Sequence, residues 1–321
     1  MQKNWSELFK QCFLCPRECG VDRLDGGEES NVGFCRQDAR LRVAYVGPHF
    51  GEEPPLTGTR GSGTVFFTGC SLRCSFCQNY QISSEGLGEY LEMEDLFARV
   101  EGMIIREQVH NINFVTPDHF FPHVFELVTL LRSKSYALPI VFNLSGYQSV
   151  PLLKSAERYV DIYLPDFKYA DRDLAKTLSK CPNYPEVALA ALSEMISQKG
   201  FLDSFDTGDS LAKKGVLVRH LILPGHVKNS LDALTTLFVE FGAELPLSLM
   251  SQYVPVIPQK AEALNRYLTG EEFNEVYSHA LDLGFRHLFV QFPEDPSAQD
   301  RPPFLPDFRL DKPFSSPAER D

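Results

Sequence analysis

A run of apolar residues long enough to cross a membrane is missing from this sequence: a span requires about 18 of them, and no such run is present. Met1 to Lys10 has no apolar stretch followed by small residues, so no secretory signal is expected, and the expected location is cytoplasmic. Basic residues are in short supply. The 31 Lys and Arg stand against 43 Asp and Glu, giving a formal net charge of −12. That balance excludes a broad phosphate-binding surface, and with it a nucleic-acid partner. The deficit is uneven: residues 1–45 carry seven charges of each sign, so the body from residue 46 onward holds the whole excess. A neutral cap on an acidic body is where an acidic redox partner is expected to dock. Cysteine is scarce beyond residue 77, where only Cys181 remains of the eight. Secreted disulfide scaffolds spread cysteines through a small loop-rich chain. Seven of them clustered at the start of a long chain point instead to a metal or cluster, and isolated Cys181 reads as a structural thiol.

The middle of the chain alternates short apolar runs with helical patterns. Strands are expected at Gly63–Gly69, Asn111–Thr116, Pro139–Leu144, Asp161–Phe167, Val216–Leu223 and Pro246–Tyr253, with a seventh at His287–Gln291. Helices are expected at Glu92–Glu107, Phe120–Lys134, Pro185–Gln198, Asn229–Gly242 and Gly270–Leu283; in the first, Leu96, Val100, Met103 and Ile104 recur on one face. Strand–helix alternation implies right-handed crossovers and a parallel sheet. The expected fold is therefore α/β, a partial (β/α)6 TIM-like barrel over residues 46–293, whose chemistry lies at the C-terminal ends of its strands. Residues 1–45 form a small Cys-rich cap. Residues 294–321, with six prolines, form a strap or a loose tail, for which Phe304, Phe308 and Phe314 are the candidate anchors.

The chemistry concentrates in Gly69-Cys70-Ser71-Leu72-Arg73-Cys74-Ser75-Phe76-Cys77-Gln78-Asn79, directly after the first expected strand. Soft thiolates select zinc, copper(I) or iron–sulfur clusters. A closed zinc site or a saturated cluster takes four protein ligands, so three on one loop leave one coordination position open. A zinc site completed by a distant histidine or cysteine is the alternative.

The C-x-x-x-C-x-x-C spacing of Cys70, Cys74 and Cys77, with an aromatic just before the last, resembles the radical S-adenosylmethionine (radical SAM) superfamily. The strings CFLCPRECGVDR, GCSLRCSFCQN, FVTPDH, NLSGY, DIYLPDFKY, VRHLILPG and SLMSQY, over about residues 12 to 254, look like the PflX-type homologues of pyruvate formate-lyase-activating enzyme. The resemblance implies a 4Fe–4S cluster on the three cysteines, S-adenosyl-L-methionine on the open iron, and reductive cleavage to a 5′-deoxyadenosyl radical. That radical takes a hydrogen atom from a protein or small-molecule substrate, with a protein glycine as the named relatives' target. Reduced flavodoxin or ferredoxin is the implied electron donor.

By resemblance, the Thr116 carbonyl and Asp118 receive the cofactor ammonium, although Thr116-Pro117-Asp118-His119 departs from the relatives' Gly-Gly-Glu. Capping of the next helix is an equal role for Asp118. Asn143, Ser145, Asp166 and Lys168 line the ribose and carboxylate. Asn143 stands where the relatives have an aspartate that helps bind a cation, and so lacks the charge. Arg219, Gln252 and Tyr253 match positions near the ribose and adenine, with ordinary interior packing as their alternative.

Cys12, Cys15, Cys19 and Cys35 form a second set at ligand spacing, with Pro16, Gly20, Gly26, Gly27 and Gly33 providing turns. Spacing alone leaves zinc and a second iron–sulfur cluster open. The histidines, among them His49, His110, His119, His123, His220 and His226, compose no metal site by spacing; His119 and His123 are expected on a helix surface or at the barrel mouth. Two further readings compete: a non-catalytic iron–sulfur electron carrier or sensor, which requires a fourth cysteine near Cys70–Cys77, and a zinc-organised interaction module, which requires no barrel.

Overall fold

The computed structural model describes residues 5–25, 32–205, 210–293 and 305–314. Gly26, Gly27, Phe304 and the prolines at 296, 302, 303 and 317 lie outside the described residues.

The parallel wall is built by β2 (Ser62–Phe67), β4 (Ile112–Val115), β5 (Ile140–Leu144) and β6 (Ile162–Pro165), adjacent in that order. Every residue of these strands is buried, which is why they read as continuous apolar runs and not as alternating ones. The next expected strand is divided at Leu217 into β7 (Gly215–Val216) and β8 (Val218–Leu221). β7 pairs with β6, whereas β8 begins a second parallel sheet with β9 (Leu247–Met250) and β10 (Leu288–Val290). The two sheets meet at a parallel bridge between Asp166 and Arg219, where Phe167 N–H donates to Arg219 O at 2.8 Å. All seven expected strands are thus present in an open, TIM-like α/β wall.

The sequence reading missed β1 (Arg42–His49), which runs antiparallel to β2 and pairs on its other side with the short β3 (Glu89–Tyr90). Its burial follows no clean alternation, so it left no period-two signal. β1 crosses the expected cap boundary at residue 45, and Phe9, Cys12, Leu14 and Leu41 belong to the same buried cluster as the barrel core.

The outer layer follows helical periodicity. Met93–Glu107 buries Leu96, Val100 and Met103, each worth about 1.5–3 kcal/mol, and starts with Glu94 and Asp95 in its first turn. Phe121–Ser133, Tyr184–Lys199, Val227–Phe241 and Gly270–Leu283 correspond to the other expected helices. No described helix is long and apolar enough to cross a membrane.

Candidate radical-cofactor site

β2 ends at Phe67 and hands the chain to Cys70 through Gly69, at φ +86°. A Cβ at Gly69 would lie 2.5 Å from Gln37 Cγ and 2.8 Å from Cys35 O, so only glycine lets the N-terminal segment close on this loop. The loop is then fastened at several points. Ser75 N–H donates to Leu178 O at 2.8 Å, and Cys77 N–H to Cys74 O at 3.2 Å. The Phe76 ring, buried, packs between Tyr169 (6.5 Å) and Tyr253 (6.2 Å), which explains an aromatic just before the last cysteine. Cys70 is buried, Cys74 and Cys77 half-buried. Burial pushes the Cys70 and Cys77 thiols up from their ordinary range, and the neighbouring thiolate charges add to it.

These three cysteines line one cavity of about 180 Å³ together with the strand ends. Thr116, Asn143, Ser145 and Asp166 stand on its wall, as do Lys168, Arg219, Gln252 and Tyr253. Eight of the nine residues expected around the cofactor therefore meet in one space. Asp118 is not among them. It is buried behind the cysteine loop, where Ser71 Oγ donates to its Oδ2 at 2.5 Å, and burial pushes its carboxyl up to about 6. Nor does Asp118 cap the following helix, which has Phe120 at its N-cap. His119 is likewise fully buried, against the expectation of a surface residue: its Nε2 meets Thr68 O at 2.8 Å, and burial holds it neutral with a pKa near 3. His123 is half-buried, with Nε2 on Ala39 O at 2.7 Å.

Thr116 follows β4 at φ +50°, a conformation that a β-branched residue adopts only under constraint. Its N–H donates to Asn143 O at 2.9 Å, tying the strained turn to β5. Gly146, at φ +82°, permits a similar approach after β5: a Cβ there would lie 2.1 Å from Asp166 O.

The charged heart of the cavity is Arg219 on β8. Its Nη1 pairs with Glu52 Oε2 at 3.0 Å, its Nε with Asp166 Oδ1 at 3.2 Å, and its Nη2 donates to Asn143 Oδ1 at 2.6 Å. Lys168 pairs with the other oxygen of Asp166. Burial opposes the ionised form of Asp166, but Lys168 and Arg219 outweigh it and hold the carboxyl below its usual range. Burial likewise opposes the charge on Lys168, and Asp166 and Cys74 overcome it. The Asn143 oxygen is thus already engaged by a guanidinium.

Sequence reasoning missed Glu52, which accepts from Asn113 Nδ2 (2.9 Å) and Asn143 Nδ2 (3.3 Å) and braces Arg219. Burial raises the carboxyls of Glu52 and Glu53 alike, and Arg219 opposes the rise. The available signal was Gly51-Glu52-Glu53-Pro54-Pro55, paired acids in a turn that leads into a barrel strand. His49 and Phe314 also reach the cavity. Phe308 and Phe314 both pack on Phe66 at 5.3 Å, and Gln81 Nε2 donates to Asp307 Oδ1 at 2.9 Å.

Two buried polar atoms test whether a cluster fits the cysteine loop. Among the described residues, Arg73 Nε near Cys70 has no hydrogen-bond partner, and Ser83 Oγ has none except the Cys77 sulfur beside it. Donors aimed at the sulfurs of an iron–sulfur cluster are satisfied by them and tune the cluster. Three soft thiolates and orphaned donors around them fit that group.

A family model described as the radical SAM superfamily matches residues 64–237. An uncharacterised protein of Methanocaldococcus jannaschii, MJ0674, is 30% identical over 279 residues, which cover 84% of this chain and 73% of that protein. Among solved structures, methylornithine synthase (PylB) aligns at a TM-score of 0.45 and 15% identity over 74% of this chain and 75% of that one. Streptococcus suis SuiB bound to S-adenosylmethionine aligns at 0.42 and 11% over 71% of this chain; the match spans about half of SuiB's length, 48%.

Proposed function

The chain belongs to the radical SAM superfamily, and from that premise we propose that Cys70, Cys74 and Cys77 hold a 4Fe–4S cluster with one iron open to S-adenosylmethionine. The observation that carries this reading is the single cavity shared by the three cysteines and eight polar residues on or just after the barrel strands. When bound and reduced, the cluster supplies the electron that splits S-adenosylmethionine into methionine and a 5′-deoxyadenosyl radical able to take hydrogen from a substrate.

The protein's own residues bind and orient. The Thr116 carbonyl, held by its strained turn, accepts from the cofactor ammonium. Lys168 and Arg219 face the cofactor carboxylate and ribose, with Asp166 and Glu52 fixing their direction. Gln252 and Tyr253 border the adenine. Phe66, Leu221 and Phe314 keep water from the reacting carbon. The resemblance to glycyl-radical-activating relatives makes a protein glycine the first substrate to try, with reduced flavodoxin or ferredoxin as donor in a cytoplasmic setting. The N-terminal cysteines hold a second metal centre, zinc or iron–sulfur.

Anaerobic reconstitution with iron and sulfide, then addition of S-adenosylmethionine and dithionite, should release 5′-deoxyadenosine. Release at an equal rate from Cys74→Ala protein would refute the assignment.

A further inference from the structure

The cavity is small for what it has to hold. Pockets for a single drug-sized ligand measure about 300–1,000 Å³. This one measures about 180 Å³, for a cofactor and a substrate together. Part of its wall therefore gives way. The strands are poor candidates, because β2, β4, β5 and β6 are buried and each is paired on both edges. Of the residues described on the wall, Phe314 alone comes from beyond residue 254.

Phe314 ends a strap that folds on itself. Asp307 N–H donates to Pro313 O and Leu310 N–H to Asp307 O, both at 3.0 Å. The fold sets the Phe308 and Phe314 rings edge to face at 6.0 Å and buries Pro306 and Pro313, while Arg309 to Lys312 are exposed. Besides its contact with Phe66, the Phe314 ring meets His49 at 4.2 Å and Tyr45 at 5.8 Å. None of the backbone pairs described for the strap reaches a strand. The barrel grips it through buried Gln81, which donates to Asp307 Oδ1 and accepts from Phe308 N–H at 2.8 Å. Gln81 sits on the short helix Tyr80–Ser83, which closes on the cysteine loop: Tyr80 N–H donates to Cys77 O at 3.1 Å, and Gly69 N–H to Ile82 O at 2.9 Å.

Two further observations separate a moving strap from a fixed wall. A second cavity, of about 410 Å³, lies between Phe308–Asp311, β1 and the Met93–Glu107 helix, so the strap has space beside it. Under the Phe314 ring, the buried Nδ1 of His49 has no hydrogen-bond partner among the described residues. Such an atom is costly to bury unpaired, and an entering molecule can satisfy it once the ring has moved.

We propose that Phe314 gates the catalytic cavity: the strap lifts off Phe66 and His49 to admit substrate and closes again, with Gln81 as its latch. The gate rests on the radical SAM reading only for what it guards.

Two measurements on the full chain test it. In protein without cluster, trypsin cleavage after Arg309, followed by mass spectrometry, reads how often the strap lifts. Gln81→Leu loses both latch bonds and should be cut about tenfold faster than wild type. Equal rates would overturn the latch. In reconstituted protein, S-adenosylmethionine and dithionite are supplied together with perdeuterated 2-propanol. A 5′-deoxyadenosyl radical within reach of the alcohol takes deuterium from its central carbon. That C–D bond breaks, a new one forms at the 5′ carbon, and the alcohol radicals left behind disproportionate to acetone and alcohol. Wild type should release mostly unlabelled 5′-deoxyadenosine. Phe314→Ala and Gln81→Leu should carry several times more label per molecule released. Equal label in all three would overturn the gate and leave the radical chemistry intact. No 5′-deoxyadenosine from wild type would refute the radical reading instead, and the cleavage rates would still decide whether the strap lifts. If Gln81→Leu does not fold, Phe314→Ala against wild type carries both measurements.

Discussion

Cys70, Cys74 and Cys77 stand on a loop that a buried barrel strand delivers, whereas among the described residues Cys12, Cys15, Cys19 and Cys35 stand on turns, with only the short 3₁₀ segment Trp5–Phe9 before them. The first site inherits its geometry from a sheet and an aromatic clamp around Phe76. The second is tied down by arginines. Arg23, 1% exposed, donates to Gln37 O at 2.9 Å, Asp38 O at 2.8 Å and His119 O at 2.7 Å, while Arg17 reaches Ser71 O and, at 2.7 Å, Ser179 O. A strand can hold ligands without metal. A segment of some 40 residues, with too little apolar surface for its own core, needs its neighbour.

The largest effect that separates the two sites comes from Cys74→Ala, which should abolish 5′-deoxyadenosine release and leave the far-ultraviolet circular dichroism unchanged. Arg23→Met comes next. It leaves three buried carbonyls without their donor, so about 3–5 kcal/mol of stability should be lost. Urea unfolding measures that loss, and limited proteolysis should cut before residue 42 first. If cleavage starts in the barrel instead, the arginine does not anchor the cap.

Acid should distinguish the regions in a third way, because residues 1–45 contain no histidine. On the barrel side, burial holds His220 neutral, with its pKa lowered to about 4; Nδ1 meets Phe167 O at 2.6 Å and Nε2 meets Ser230 Oγ at 2.9 Å. The unfolded chain binds that proton more readily, so the stability His220 contributes is full above about pH 6.5 and is lost as the pH falls toward 4. The advantage of wild type over His220→Asn should therefore shrink by about 3 kcal/mol between those values. Denaturant midpoints across that range would show it, and a pH-independent difference would contradict it. The smallest effect is Arg17→Lys, which keeps the charge but loses the fork across Ser71 and Ser179 and the stacking on Phe34. About 1–2 kcal/mol should go, with the cap loosened more than the barrel by hydrogen exchange.

Much of the fold was legible because its barrel strands are buried on both faces and its helices on one, which writes distinct periods into the chain. β1 escaped because its burial follows neither period. The cavity was legible where a motif ends a strand, as at Asn143 and Asp166, and where one lies within a strand, as at Arg219 on β8. Glu52 was not, because an acid in a turn carries no sign of the strand it will face. Asp118 was placed by its motif at the cofactor, yet the chain turns at strained Thr116 and carries it behind the cysteine loop to Ser71.

The sequence by itself determined the alternation of strand and helix and the three-thiolate loop, since both are local patterns of burial and spacing. Only the tertiary structure decided which charges meet. Arg219 joins Glu52, 167 positions away in the chain, because the curved wall brings β8 opposite the turn after β1. Contacts over such separations arise from closure of the sheet, and no local pattern records them.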